Sequence, residues 1–461
     1  MIGQTGASGN KGLQHANSRF PPGKKDDRFL LTWPPVLPGG KKVVTDNAAG
    51  LLTRPANANI SEGVLIATTP PVIDFLYLPG QVYPGKLWSV WGDGSVYGSK
   101  YYTSIGDHDS PRGEAHVYEY DAKTKSVRLL TNIKKFLEEP GRMPPGMDYT
   151  PGKIHGRVDR GSDGWLYFST HRGSTNDNTT DARGYKGDHI YRTNPANGKT
   201  EIVAVFPMLK HTIPASVLDP TRMIFYGGTN PGNDAPEKEP WFIAYDVKNK
   251  KLLKKVPGGF DRFAILSSST GCVYWNGITK PGGTDAGTRN GYKYDPATNK
   301  ISLVADVPVV RACTEETKNG IVYGFTQDNT NLWAFDTRKE KLSTIGPAMV
   351  GIHSYVTSVD LDPVTERYLY YVPGAHGGAD VDGTPVVQYD LKTKTRKVIA
   401  FLSEFYREKY QYTPDGTFST AISADGSMLY VTWNGFRVSP AKGWNTTAIM
   451  AISIPKSERL P

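Results

Sequence analysis

Apolar and polar positions alternate along most of this chain in short runs of about four to eight residues, each closed by Gly, Asn, Asp or Pro. The stretch 151–175 shows the pattern well. Two β-type runs, 153–158 and 165–169, flank an Arg-Gly-Ser-Asp-Gly turn, and the whole predicts a hairpin. No segment carries a long 3.6-residue apolar period, and the best helical candidate, 132–139, is short.

The alternation itself recurs. An aromatic strand end closing on Asp or Asn, a Lys/Thr/Asn-rich turn and a further strand appear at Tyr118 to Asp121, Tyr191 to Asn194, Tyr245 and Asp246, Tyr292 to Asp295, Trp333 to Asp336, and Tyr389 and Asp390. The copies lie about 40 to 75 residues apart, which suits propeller blades with loops of variable length. A hairpin precedes each later copy, at 207–228, 260–277, 309–326 and 350–374, and another lies at 416–435. The predicted fold is all-β: a seven-bladed β-propeller of four-stranded antiparallel blades, at 81–150, 151–209, 210–260, 261–308, 309–350, 351–415 and 417–454. The alternatives are eight blades or a pair of sandwiches. The last unit supplies three strands, so the ring is expected to close with an N-terminal strand, from 28–33 or near 43–45. Residues 1–27, polar and Gly-rich, read as a flexible N-terminal arm, and 28–461 as one propeller domain.

Composition supports the β reading, with 49 Gly, 34 Pro, 26 Tyr and 9 Trp. No apolar run reaches membrane-spanning length, so no membrane partner is expected. The net charge of +9 favours a polyanionic partner. No dense basic block with interleaved aromatics is present, which argues against nucleic acid and for an acidic polysaccharide or oligosaccharide. Cys272 and Cys313 read as buried thiols, not a disulfide framework. No secretory leader is visible at Met1, and the Gly-rich start reads as a chain from which one was removed. Secreted or periplasmic localisation and a monomeric state are the expectations.

Antiparallel pairing brings the start of one hairpin strand beside the end of the next, so His155 and His171 should be neighbours, with Arg157 and Arg172 beside them. Registering the hairpins extends the column. His155, His211, Arg262, Arg311 and His353 fall at the start of the innermost strands, and His108, His171 and His376 at the end of the second strands. Long Gly/Asn/Asp/Pro loops share that edge, as a binding or catalytic face would require. The column is rich in His and Arg and shows neither the paired carboxylates of a glycosidase nor a serine elbow. It suits removal of a proton next to a carboxylate: Arg holds the carboxylate and the developing enolate, and imidazole moves the proton. On a uronic acid residue that chemistry is β-elimination.

The segments 154–157 and 169–172, supported by 105–108 and 118–121, resemble the seven-bladed propeller polysaccharide lyases, which include ulvan lyases and fungal rhamnosyl-glucuronate lyases. The resemblance implies a carbon–oxygen lyase acting on polysaccharides. It assigns His155 and His171 as the acid/base pair; the registered column adds His211, Arg311 and His353 as further catalytic candidates. Arg157, Arg172, Arg262, Tyr355 and His376 are the substrate-binding candidates. His211 stands where that family has Tyr, which leaves the carboxylate-neutralising residue open between Arg262 and Arg311, and Tyr355 available to protonate a leaving group. No cofactor is required, but propeller oligogalacturonate lyases use a His-ligated divalent cation. His108, His353 and His376 are the candidate ligands for Ca²⁺ or Mn²⁺, and the loop 176–181 is a second place for Ca²⁺. A noncatalytic glycan-binding propeller and a metal-dependent lactonase or hydrolase are the rival readings.

Overall fold

The computed structural model describes residues 32–82, 88–108, 112–173, 178–260, 262–277, 291–326, 331–437 and 444–459. The expected N-terminal arm lies outside them. The strands form seven sheets, the blades of a seven-bladed β-propeller. The innermost strands are Trp88–Ser89 in blade I, Asp159–Arg160 in II, His211–Asp219 in III, Ile265–Leu266 in IV, Ala312–Cys313 in V, Val359–Leu361 in VI and Tyr412–Ile422 in VII.

Each blade is buried on both faces, and its alternating side chains serve two different cores. In blade II, Leu166 and Phe168 pack towards blade I with Val117 and Tyr102, while Tyr167 between them packs towards blade III with Ile213 and Phe225. The same division repeats around the ring, with one apolar cluster between each pair of neighbouring blades.

The recurring turn has a physical cause. Asp121, Asp246, Asp295, Asp336 and Asp390 accept backbone N–H groups two or three residues on, and Asn194 does the same. Four residues after each stands a left-handed residue: Lys125, Lys250, Asn299, Glu340, Lys394 and Gly198. The six blades share one turn, written in different side chains.

The ring closes with Val72–Tyr77, which pairs antiparallel with Thr446–Ser453. The ring is closed by an N-terminal strand, as the sequence predicts, but not by either of the two stretches expected. Val44–Asp46 instead adds outside the closing strand, and 28–31 lies beyond the described residues. A closing strand must be apolar on both faces, and Ile73 and Phe75 fill the core between blades VI and VII while Leu76 fills that between VII and I. Val44–Asp46 cannot supply that. A further strand, Leu65–Ile66, adds parallel to blade VI.

The short helix is Ile133–Glu138, capped by the Asn132 side chain, and Ser403–Tyr410 is a second helix that the periodicity did not reveal. Among the described residues no helix is long and apolar enough to cross a membrane.

Candidate active site

Blades I and II meet backbone to backbone. A Cβ on Gly106 would lie 2.0 Å from the Gly152 carbonyl oxygen, and one on Gly113 would lie 2.2 Å from the Gly152 Cα. Only glycine permits this approach, and it sets Lys153 and His171 beside blade I. Lys153 and His171 exchange two backbone hydrogen bonds, of 3.1 and 2.8 Å. Hairpin geometry therefore brings His155 and His171 together: their ring centroids are 5.9 Å apart and the planes cross at 84°.

Blade III orients both rings. His155 Nδ1 lies 2.9 Å from the Pro214 carbonyl oxygen, and His171 Nδ1 lies 2.9 Å from Thr212 Oγ1. The pairing of the inner strand of blade III shifts register between Thr212 and Ala215, at the proline that cannot donate to the ladder. The irregularity frees the Pro214 carbonyl for His155.

Around the pair stands a group drawn from several blades. The Trp91 ring stacks on His108 at 4.1 Å and lies 6.4 Å from His155 and 6.3 Å from His376. The Lys153 ammonium sits 4.3 Å from the centre of the Trp91 ring, a cation–π contact. Arg311 donates from Nε to the Tyr355 hydroxyl at 2.6 Å, and Tyr355 packs against His376 at 4.4 Å. Phe418 lies under Arg311, 5.5 Å from the guanidinium carbon.

Burial holds the His155 imidazole well below its ordinary pKa, and Lys153, Arg262 and Arg311 push it lower still. His171 is depressed by burial, then by Lys153, His155, Arg172 and Arg262. His108 is depressed by burial, Lys153 and His376. His376 is open to solvent on one side, yet partial burial with Arg311, Arg262 and Lys153 depresses it too. Among the described residues, the charges that bear on these four rings are cations or one another. They are neutral bases in a positive field.

The structure thus brings together His155, His171, Arg172, Arg262, Arg311, Tyr355, His376 and His108. Three residues singled out in the sequence are placed elsewhere. His211 turns into blade III, where its Nδ1 lies 2.9 Å from Thr229 Oγ1 and its charged neighbours are Glu237 and Lys255. His353 is held by Asp382, 3.0 Å from its Nδ1, with the same carboxylate accepting its backbone N–H. Arg157 pairs with Asp159 at 2.9 Å and Glu315 at 2.6 Å. Sequence reasoning missed Lys153, Trp91, Thr212 and Pro214. Lys153 is two residues before His155, on the same face of an extended segment, and that spacing was the available signal.

A divalent cation does not fit this donor set. Among the described residues no three His, Cys, Asp or Glu side chains gather to hold a metal ion. His108 and His376 both lie in the field of Lys153, which repels a dication, and among the described residues no third ligand joins them. In the loop 176–181, residues 176 and 177 lie outside the described residues, and the Asp181 carboxylate pairs with Lys210 at 2.5 Å.

No protein-family profile and no curated protein sequence matches this chain. Its fold matches solved propellers. An oligogalacturonate lyase from Vibrio parahaemolyticus superposes with a TM-score of 0.50 at 9% identity, over 91% of this chain and 99% of that one. An oligogalacturonate lyase in complex with manganese superposes with a TM-score of 0.50 at 11% identity, over 90% and 98%. The β-propeller domain of the Trilobed protease from Pyrococcus furiosus gives 0.46 at 8% identity, over 82% and 99%. At such identities the likeness defines the fold, and function must be argued from the site.

Proposed function

We propose that this protein is a polysaccharide lyase that cleaves the glycosidic bond next to a uronic acid by β-elimination. The observation that carries the reading is the pair His155 and His171, two crossed imidazoles 5.9 Å apart, held neutral among Lys153, Arg262 and Arg311. Nδ1 of each ring is spent on blade III, so Nε2 is the edge left for a substrate.

The chemistry needs two things from these residues. Cations must offset the sugar carboxylate, because the C5 proton becomes acidic only as charge moves onto that group. A neutral base must then take the proton, and His155 Nε2 is that base. The C5–H electrons form the C4=C5 double bond, and the C4–O bond breaks with its electron pair leaving on the glycosidic oxygen. The imidazolium returns its proton to that oxygen, which regenerates neutral His155. The positive field favours an acidic glycan over a neutral one, and the two oligogalacturonate lyases of like fold act on a substrate of that class.

The test is ultraviolet absorbance of the unsaturated uronate product, followed with ulvan, gum arabic, pectate and glucuronoxylan, with and without a chelator. A rise that persists under chelation is expected. A flat trace across the panel from folded protein overturns the reading.

A further inference from the structure

The two histidines look equivalent, but their partners are not. The Pro214 carbonyl oxygen can only accept, so the neutral His155 ring carries its proton on Nδ1 and presents a bare lone pair at Nε2. Thr212 Oγ1 can donate or accept. Its other partner, the Asn230 carbonyl oxygen, is 3.4 Å away, at the limit of a hydrogen bond, whereas His171 Nδ1 is at 2.9 Å. The hydroxyl proton is better spent on the nearer nitrogen. His171 then accepts at Nδ1 and carries its own proton on Nε2. Thr212 is 1% exposed, so water does not compete for that hydroxyl.

We propose that Thr212 and Pro214 impose opposite tautomers on the histidine pair, so that His155 offers a lone pair at Nε2 while His171 offers an N–H donor that holds a sugar carboxylate. Thr212 is a positioning residue acting through His171. Burial and the surrounding cations keep both rings neutral near pH 7, the state in which tautomer decides function. The donor edge of His171 stands at 84° to the base, so one imidazole takes a proton while the other steadies the charge that appears next to it. The identity of the ligand rests on the lyase reading; the tautomers do not.

The deciding measurement is long-range proton–nitrogen NMR of the full chain carrying ¹⁵N-histidine at pH 7, with signals assigned through His155→Gln and His171→Gln. One ring protonated at Nδ1 and the other at Nε2 is the expected result, and the same tautomer on both rings overturns the proposal. Thr212→Val, which keeps the shape and removes the hydroxyl, should leave His171 averaging between tautomers and weaken binding of free glucuronate by about tenfold, or about 1.4 kcal/mol. Thr212→Ser should restore both. Unchanged glucuronate binding in folded Thr212→Val also overturns the proposal, and if that variant does not fold, the spectrum of the wild-type chain decides. Opposite tautomers in a protein inert towards every uronate glycan would sustain this inference and sink the lyase reading, whereas elimination with matching tautomers would do the reverse.

Discussion

Two layers of ionisable side chains sit one step apart along the inner strands, and burial drives them in opposite directions. In the first layer stand Trp91, His155 and Phe418 with Lys153, Arg262 and Arg311. Two residues further along each strand come Asp93, Arg157 and Thr420, joined by Asp159, Glu315 and Asp360. Asp93 is pushed up to about 8, first by burial and then by Asp360, against the opposing pull of Arg157 and Ser358. Asp360 and Asp159 are each raised to about 6, mainly by burial. In the upper layer desolvation and cations strip protons from imidazoles; in the lower one desolvation and neighbouring carboxylates retain them. Burial favours the neutral form of the imidazoles and of these carboxyls alike, while Lys153 and Arg311 remain as buried cations in the first layer. Asp93 Oδ1 accepts from the Ser358 hydroxyl and two backbone amides. The first layer gathers imidazoles and cations at one edge of the ring; the second ties three blades together.

The sharpest break in that contrast is His155→Gln, which should cost about a thousandfold in turnover with the fold intact, as ultraviolet product formation and circular dichroism would report. Arg157→Met should do the converse. It leaves the buried Asp159 carboxylate without its guanidinium, and a loss of about 3 kcal/mol in urea unfolding is expected while the folded protein keeps the proposed lyase turnover. Turnover falling as far as in His155→Gln would mean that the layers are one site. A smaller effect concerns pH. Because Asp93 holds its proton more tightly folded than unfolded, its contribution to stability is present in acid and is lost as pH rises towards about 8. Asp93→Asn should flatten the fall of the melting temperature over that window. Smallest is a displacement of the pH profile: the acid limb of kcat/KM should lie below the ordinary imidazole value of 6.5, and Lys153→Met should move it upward.

Much of this was readable in the sequence, and the failures are instructive. The Asp-capped turn is local, so six blades announced themselves as a motif recurring along the sequence. The histidine pair was readable for the same reason, since a hairpin fixes which residues face each other. His211 occupies the equivalent register position in blade III, but the shift between Thr212 and Ala215 turns the strand, and the ring faces Thr229. No pattern within blade II could have named Thr212 or Pro214, which act across a blade boundary. The closing strand was misplaced because any short β-run near the N-terminus satisfies the count. Only the requirement for apolar side chains on both faces selects Val72–Tyr77.

That closure also orders the folding of the chain in time. Each blade pairs residues close in sequence, but Phe75 meets Met450, and no contact of that kind can form until the last strand exists. On the ribosome Val72–Tyr77 emerges before any complete blade and its partner after all of them. An apolar strand must therefore wait through nearly the whole of synthesis with its edge unpaired, open meanwhile to mispairing.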